Sequence, residues 1–141
     1  MIELGRFEAC VCKSRHNPGQ LCESHCAFEE KGKKVKLTIR TGEEMKALLI
    51  DKCLFDDLKP KCDGIFLYRR RNKHWMLLIE LKGSDVERAF QQLQYTRHSK
   101  REYEEIRTLF MNGQSGSLSH EAFIVSNRIL SNVEKQKLEN T

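Results

Sequence analysis

The sequence lacks any long apolar segment, because its longest uninterrupted hydrophobic run is WMLLI at residues 75–79. A helix that crosses a bilayer needs about 20 apolar residues, so no membrane-spanning segment is predicted. The first residues, MIELGRFEAC, carry acidic side chains and no apolar stretch of the kind that secretory signals contain. The sequence therefore predicts an intracellular, cytoplasmic protein without a membrane partner.

Internal repeats and low-complexity segments are also absent, which excludes a repeat array. The 141 residues fit one domain that is long enough to bury a hydrophobic core. Hydrophobic residues make up 39% and charged residues 32%, a balance typical of globular proteins. We divide this domain into a Cys/His-rich segment at 1–33, a core at 34–128 and a C-terminal helical segment at 129–141.

Positive charge is in modest excess, with 25 Lys and Arg residues against 20 Asp and Glu residues. The excess is concentrated in three short clusters, at residues 31–36, 69–73 and 97–101. Such clusters fit a polyanionic partner such as DNA, whose phosphates bind basic side chains through counterion release. Solvated charge on loops and helix surfaces is the alternative interpretation.

Hydrophobic periodicity predicts a mixed α/β fold. Apolar and polar residues alternate at 34–40, as in a half-buried strand, and Thr41 with Glu44 has the spacing of a helix capping box. Apolar side chains on both faces of residues 75–82 indicate a central strand that is covered on both sides. The predicted elements are a strand at 34–40, a helix starting at Thr41, strands at 62–70 and 75–82 around a turn at 71–73, a helix that begins after Asp85, breaks near Ser99 and ends near Met111, a strand at 122–125 and a helix at 129–139.

An acid and a base, Glu80 and Lys82, share one face at the end of the most apolar predicted strand. Asp63 opens the preceding strand, and in an antiparallel hairpin the start of one strand lies beside the end of the next. Converging carboxylates call for a cation, and Mg²⁺ or Mn²⁺ prefers such oxygen ligands. Lys82 would then assist an attacking water and stabilise a phosphate anion. A partly buried Glu–Lys pair that only balances charge is the alternative.

The motifs PKCD at residues 60–63 and ELK at residues 80–82 together resemble the signature of the PD-(D/E)XK nuclease superfamily. That superfamily includes restriction endonucleases, Holliday-junction resolvases and RecB-like exonucleases. The resemblance covers about residues 41–126, although two residues separate Pro60 from Asp63. It implies a restriction-endonuclease-like mixed β-sheet core flanked by helices. It also implies that Asp63, Glu80 and the carbonyl of Leu81 bind the metal and that Lys82 is catalytic.

Two further site residues follow from the same resemblance. A glutamate in the helix before the sheet often completes the metal site, so Glu44 or its neighbour Glu43 is a candidate, with helix capping or solvation as alternatives. Gln91 and Tyr95 match the Q-x-x-x-Y motif of RecB-like exonucleases, and their i, i+4 spacing places them on one helix face. Gln91 is the candidate catalytic residue, and an ordinary amphipathic helix is the alternative.

Four cysteines in the N-terminal segment have spacings that could bind Zn²⁺ through thiolates. They are Cys10, Cys12, Cys22 and Cys26. Either His16 or His25 could replace one of these ligands. Free buried cysteines and disulfides are the alternatives, the latter less favoured in a cytoplasmic protein.

The sequence thus favours a Mg²⁺-dependent or Mn²⁺-dependent deoxyribonuclease. Its basic clusters make DNA the expected partner, and its small size fits a homodimer or a subunit of a larger nucleic-acid-processing complex. The alternatives are a non-catalytic, zinc-containing nucleic-acid-binding module and an assembly subunit with a nuclease fold. The acidic pair with Lys82 argues for catalysis, because binding alone does not require these three residues.

Overall fold

The computed structural model describes residues 2–13, 22–30, 33–50, 63–81, 86–99, 101–114 and 116–125. These residues form a mixed α/β structure with two β-sheets and a 3₁₀ helix at Gly5–Cys10. The strands are β1 (Cys22–Ser24), β2 (Ala27–Glu30), β3 (Lys33–Lys36), β4 (Glu43–Leu49), β5 (Gly64–Arg70), β6 (Lys73–Leu81) and β7 (Ser117–Val125), and the helices are α1 (Val86–Ser99) and α2 (Arg101–Met111). In these ranges no helix is long and apolar enough to cross a bilayer.

The larger sheet has the strand order β4-β5-β6-β7. The β4–β5 and β5–β6 pairs are antiparallel, whereas β7 runs parallel to β6. A parallel pair needs a long crossover, which α1 and α2 supply. The predicted hairpin is confirmed, and the helical pattern predicted after it is described as α1 up to Ser99 and α2 from Arg101. The last strand is longer than predicted, since it begins at Ser117.

Alternate side chains of β6 face two different hydrophobic clusters. Met76 and Leu78 pack with residues of α1, α2 and the N-terminal segment. Ile79 and Leu81 belong to a second cluster, to which the smaller sheet β1-β2-β3 contributes Phe28. Strand β6 is therefore covered on both faces, as its apolar pattern predicts.

Gly64 allows the smaller sheet to approach the first residue of β5. The ring of Phe28 stacks on the ring of Phe66, with centroids 4.8 Å apart. A Cβ atom at position 64 would lie within 3.0 Å of three atoms of the Phe28 ring, a distance that real Cβ contacts almost never show. The absence of a side chain at Gly64, next to Asp63, therefore sets the spacing between the two sheets.

Residues Glu43–Leu49 form strand β4, so the predicted helix starting at Thr41 is wrong. A turn precedes the strand: the N–H of Glu43 donates to the carbonyl of Arg40 at 3.0 Å, and Gly42 adopts a left-handed backbone with φ 89°. The segment EEMKALL contains good helix formers, but β4 pairs with β5 along its whole length. Tertiary pairing therefore outweighs local propensity here.

The predicted strand at 34–40 is confirmed only in part, as β3 covers Lys33–Lys36. The N–H of Leu37 still donates to the carbonyl of Cys26 at 3.0 Å, although Leu37 lies beyond the strand. The predicted helix at 129–139 lies outside the described residues.

Candidate metal centre

Asp63 and Glu80 lie together at one end of the larger sheet. The backbone N–H of Asp63 donates to Oε1 of Glu80 at 3.0 Å, and the backbone N–H of Leu81 donates to Oδ2 of Asp63 at 2.8 Å. The Glu80 carboxylate thus binds the backbone of Asp63, and the Asp63 carboxylate binds the backbone of the residue after Glu80. The two acids are 17 positions apart in sequence. The proximity that the hairpin predicts is confirmed.

Burial distinguishes the two acids. Glu80 is fully buried, with 0% exposure, whereas Asp63 is partly exposed. Glu80 shares the helix-facing side of β6 with Met76 and Leu78, because alternate residues of a strand point to the same face. Taking a carboxylate out of water costs free energy unless hydrogen bonds or a cation compensate. For Glu80, the hydrogen bond from the Asp63 N–H offsets part of this cost.

The donor atoms at this sheet end suit a hard divalent cation. Carboxylate and carbonyl oxygens are the ligands that Mg²⁺ and Mn²⁺ prefer. Among the residues that the structure describes, no group of three or more His, Cys, Asp or Glu side chains could hold a metal ion. A cation here would therefore rest on Asp63, Glu80, the predicted carbonyl ligand from Leu81 and several waters, which Mg²⁺ normally retains.

Lys82 lies outside the described residues. Leu81, which precedes it, is buried and pairs with Val125 of β7. The catalytic role of Lys82 and the carbonyl ligand from Leu81 therefore stay predictions.

Glu44 lies at the opposite end of the sheet from Asp63 and Glu80. Its cross-strand partner is Arg69, near the far end of β5. At about 3.3 Å per residue, Arg69 is roughly 20 Å along the strand from Asp63, which is too far for a shared metal. The predicted metal role of Glu44 is wrong, because it rested on a helix that is a strand. The Glu44 carboxylate instead forms a salt bridge with Arg69 and accepts the N–H of Ile2 at 3.0 Å.

Two glutamates connect the N-terminal segment to the larger sheet. Glu8 pairs with Lys46 of β4 at 2.5 Å, and this hydrogen bond lowers the pKa of Glu8. For Glu44, burial alone raises the pKa, but the hydrogen bond and charge of Arg69 act against it, and the resulting pKa lies below the usual value. Both carboxylates are thus stabilised in their ionised form in the folded protein.

The free energy of unfolding is expected to fall in acid because of these two groups. A carboxylate with a lowered folded-state pKa contributes its full stability above the unfolded-state pKa of about 4.3, and loses it as the pH falls through the folded pKa. Urea denaturation at near-neutral and acid pH should show a smaller acid loss for the Glu8→Gln/Glu44→Gln double variant than for the wild type. An equal loss in both proteins would contradict the assignment.

The buried glutamine of α1 is Gln92, which follows the predicted catalytic residue Gln91 by one position. Gln91 is exposed, whereas Gln92 and Thr96 are buried beside Leu93. The Thr96 hydroxyl donates to the carbonyl of Gln92 at 2.9 Å. Gln92, and not Gln91, is therefore the glutamine on the inner side of this helix. The i, i+4 spacing of Gln92 and Thr96 around Leu93 is the sequence signal that could have identified them.

Three of the four N-terminal cysteines are oxidised in the structure. Cys12 and Cys22 form a disulfide with Cα atoms 5.5 Å apart, and Cys10 is also disulfide-bonded. Cys26 carries a free, buried thiol that lies 3.6 Å from the hydroxyl of Ser24. Zinc binding requires thiolates, so the predicted zinc set is not assembled in this oxidised form. The disulfide instead joins the segment after the 3₁₀ helix to β1.

Loss of the Cys12–Cys22 disulfide is expected to lower the free energy of unfolding by about 2–3 kcal/mol, because it closes a short loop. Denaturation of the Cys12→Ser/Cys22→Ser variant beside the oxidised wild type measures this loss, and equal stability would contradict it.

A cytoplasmic location would keep these thiols reduced. Metal analysis of the reduced wild type, with the same variant as control, therefore tests the zinc prediction separately.

Comparison with protein-family models, with curated proteins and with solved structures gives no match. The resemblance to PD-(D/E)XK nucleases therefore rests on the motif residues themselves.

Proposed function

We propose that this protein is a metal-dependent nuclease that hydrolyses phosphodiester bonds in DNA at Asp63 and Glu80. One observation carries the proposal: the fully buried carboxylate of Glu80 is linked to Asp63 through the backbone at the end of the sheet. Two carboxylates held this close repel each other unless a cation joins them. A cation site would explain why a carboxylate is buried next to a second acid at this position, whereas a purely structural role would not.

The arrangement of the larger sheet supports the proposal. The β5–β6 hairpin carries both acidic residues, and a helical crossover follows β6 directly. The resemblance to PD-(D/E)XK nucleases implies a mixed sheet flanked by helices. The larger sheet is mixed, with α1 and α2 on one face and the smaller sheet on the other, and Glu80 lies near the end of its central strand β6.

Each residue has a distinct task in the proposed reaction. Asp63 and Glu80 would hold the cation through carboxylate oxygens, and Mg²⁺ or Mn²⁺ would supply positive charge at the attacked phosphate. Lys82, assigned from the sequence, would orient the attacking water and, as the neutral amine, accept its proton. The water oxygen bonds to phosphorus as the bond to the departing sugar oxygen breaks, and that oxygen takes a proton from solvent.

Cleavage assays with purified protein test this function. Linear, circular, single-stranded and branched DNA are incubated with Mg²⁺ or Mn²⁺, and at least one substrate should be cut, with no cutting in EDTA. Lys82→Ala should reduce the rate by about 100-fold or more. Lys13→Ala, which removes an exposed lysine outside the three basic clusters, should leave it unchanged. If no substrate is cut with either metal, the nuclease proposal fails and a binding module or an assembly subunit is favoured.

A further inference from the structure

An aromatic pair lies on the β5–β6 hairpin, near the turn that joins these strands. Tyr68 and Trp75 are cross-strand partners, with ring centroids 5.1 Å apart and ring planes inclined by 42°. Both side chains are partly exposed, unlike Phe66 one step further along the same face of β5. The pair therefore offers aromatic surface to solvent at this end of the sheet.

A basic cavity adjoins the aromatic pair. It has a volume of about 420 Å³ and is lined by Arg70, Arg71, Asn72 and Lys73, all of which are exposed. The guanidinium carbon of Arg70 lies 6.0 Å from the centroid of the Trp75 ring. The cavity and the aromatic surface are therefore parts of one continuous site, which we call the hairpin site.

The hairpin site has a surplus of positive charge. The cross-strand partner of Arg70 is Glu43, whose carboxylate accepts hydrogen bonds from the hydroxyl of Tyr68 and from the backbone N–H of Arg40. These two hydrogen bonds lower the pKa of Glu43 and keep it ionised, and the bond from Tyr68 has the larger effect. Within the described ranges, neither Arg71 nor Lys73 forms a salt bridge. Two cations therefore remain for an anionic ligand.

We propose that the hairpin site binds single-stranded nucleic acid, with a base stacked on Trp75 and two adjoining phosphates held in the cavity by Arg71 and Lys73. Aromatic side chains beside a basic groove are how proteins hold single strands without sequence preference, since every base has a face that stacks. A duplex offers phosphates to the cavity but no unstacked base to the ring. Stabilisation of the hairpin explains the Tyr68–Trp75 contact, but it does not require the basic cavity beside it.

The hairpin site is separate from the proposed metal centre. Arg70 ends β5 and Asp63 precedes its first residue, so about 3.3 Å per residue places the two sites roughly 23 Å apart along the strand. Strand binding at the hairpin site therefore goes beyond the proposed cleavage and holds whether or not Asp63 and Glu80 cut DNA.

Trp75 is the only tryptophan of the protein, so its fluorescence reports on the hairpin site without a label. An oligothymidylate of about ten nucleotides, within the span of known single-strand sites, is titrated in EDTA, where no cleavage occurs. It should quench Trp75 and bind more tightly than a duplex of the same length. The Arg71→Ala/Lys73→Ala variant should bind about tenfold or more weakly, and its salt slope should fall by about 1.4, because each phosphate contact contributes about 0.7 on single strands.

The matched control is Arg6→Ala/Arg107→Ala, which removes the same charge from two arginines already paired with Glu105 and Glu104. This control should bind like the wild type. Anisotropy of a labelled oligonucleotide should show about tenfold weaker binding by Trp75→Ala, with a thermal scan to confirm that the variant is folded. Absence of quenching, equal weakening in the control, or a loss of heparin binding by Trp75→Ala as large as its loss of oligonucleotide binding overturns the proposal. Because EDTA is present, failure of the nuclease proposal leaves this result unaffected.

Discussion

Replacing Glu80 by glutamine is expected to reduce DNA cleavage by at least about 100-fold while making the metal-free protein more stable. The amide keeps the size of the side chain and can still accept the N–H of Asp63 through its carbonyl oxygen. It removes the buried negative charge, however, and with it the main source of cation affinity. The gain in the free energy of unfolding should be about 1 kcal/mol in EDTA.

Thermal unfolding with and without Mg²⁺ separates a metal ligand from a structural residue. A cation that binds only the folded state raises its stability, by about 2.7 kcal/mol at 100 times the dissociation constant. The wild type should show such a shift, and Glu80→Gln should not. Glu121→Gln is the matched control, because Glu121 is an exposed glutamate of the neighbouring strand β7. A Glu80→Gln protein that loses stability in EDTA and keeps its activity would contradict the metal-ligand role.

Truncation of Phe28 to alanine should lower the free energy of unfolding by about 3–5 kcal/mol. Phe28 is fully buried between the two sheets, where it stacks on Phe66 and covers Gly64. Its removal leaves a cavity and uncovers apolar surface of the second hydrophobic cluster. Guanidinium denaturation of the variant and the wild type measures the loss, and a loss below about 1 kcal/mol would contradict the packing described.

A second substitution tests the same contact from the other side. Gly64→Ala should cost about 1–3 kcal/mol, because the added methyl group collides with the Phe28 ring. Combined with Phe28→Ala, it should cost much less, since the methyl group enters the vacated space. Gly64 is not one of the glycines with a positive φ, so left-handed backbone strain adds nothing to this cost. Strict additivity of the two core substitutions would show that Phe28 and Gly64 do not touch.

The hairpin and the helical crossover were predictable because their signals are local. The apolar run ending at Glu80, the turn near Asn72 and the phase of the helix pattern each lie within one element. The proximity of Asp63 and Glu80 then followed from antiparallel geometry, which needs only the position of the turn. The proximity of the two carboxylates in the candidate metal centre could therefore be predicted from the sequence.

Strand β4 was not predictable, because its residues favour a helix when considered alone. Pairing with β5 makes this segment a strand, and the sequence between the two strands has no pattern that predicts this pairing. The wrongly predicted helix also led to the wrong metal role for Glu44, because that role depended on the helix. The role of Gln91 stays a prediction, since a shift of one residue, about 100° around a helix, separates its exposed position from the buried Gln92.

The parallel pairing of β6 with β7 has a consequence for how the chain reaches its fold. Every partner of β6 in Ser117–Val125 lies beyond both helices, so the sheet closes only through distant contacts. Until then β6 is an edge strand with apolar side chains on both faces, the kind of edge that pairs with other chains. Such long-range pairing is slow. The interval before β7 docks is therefore the period in which this protein is most exposed to aggregation.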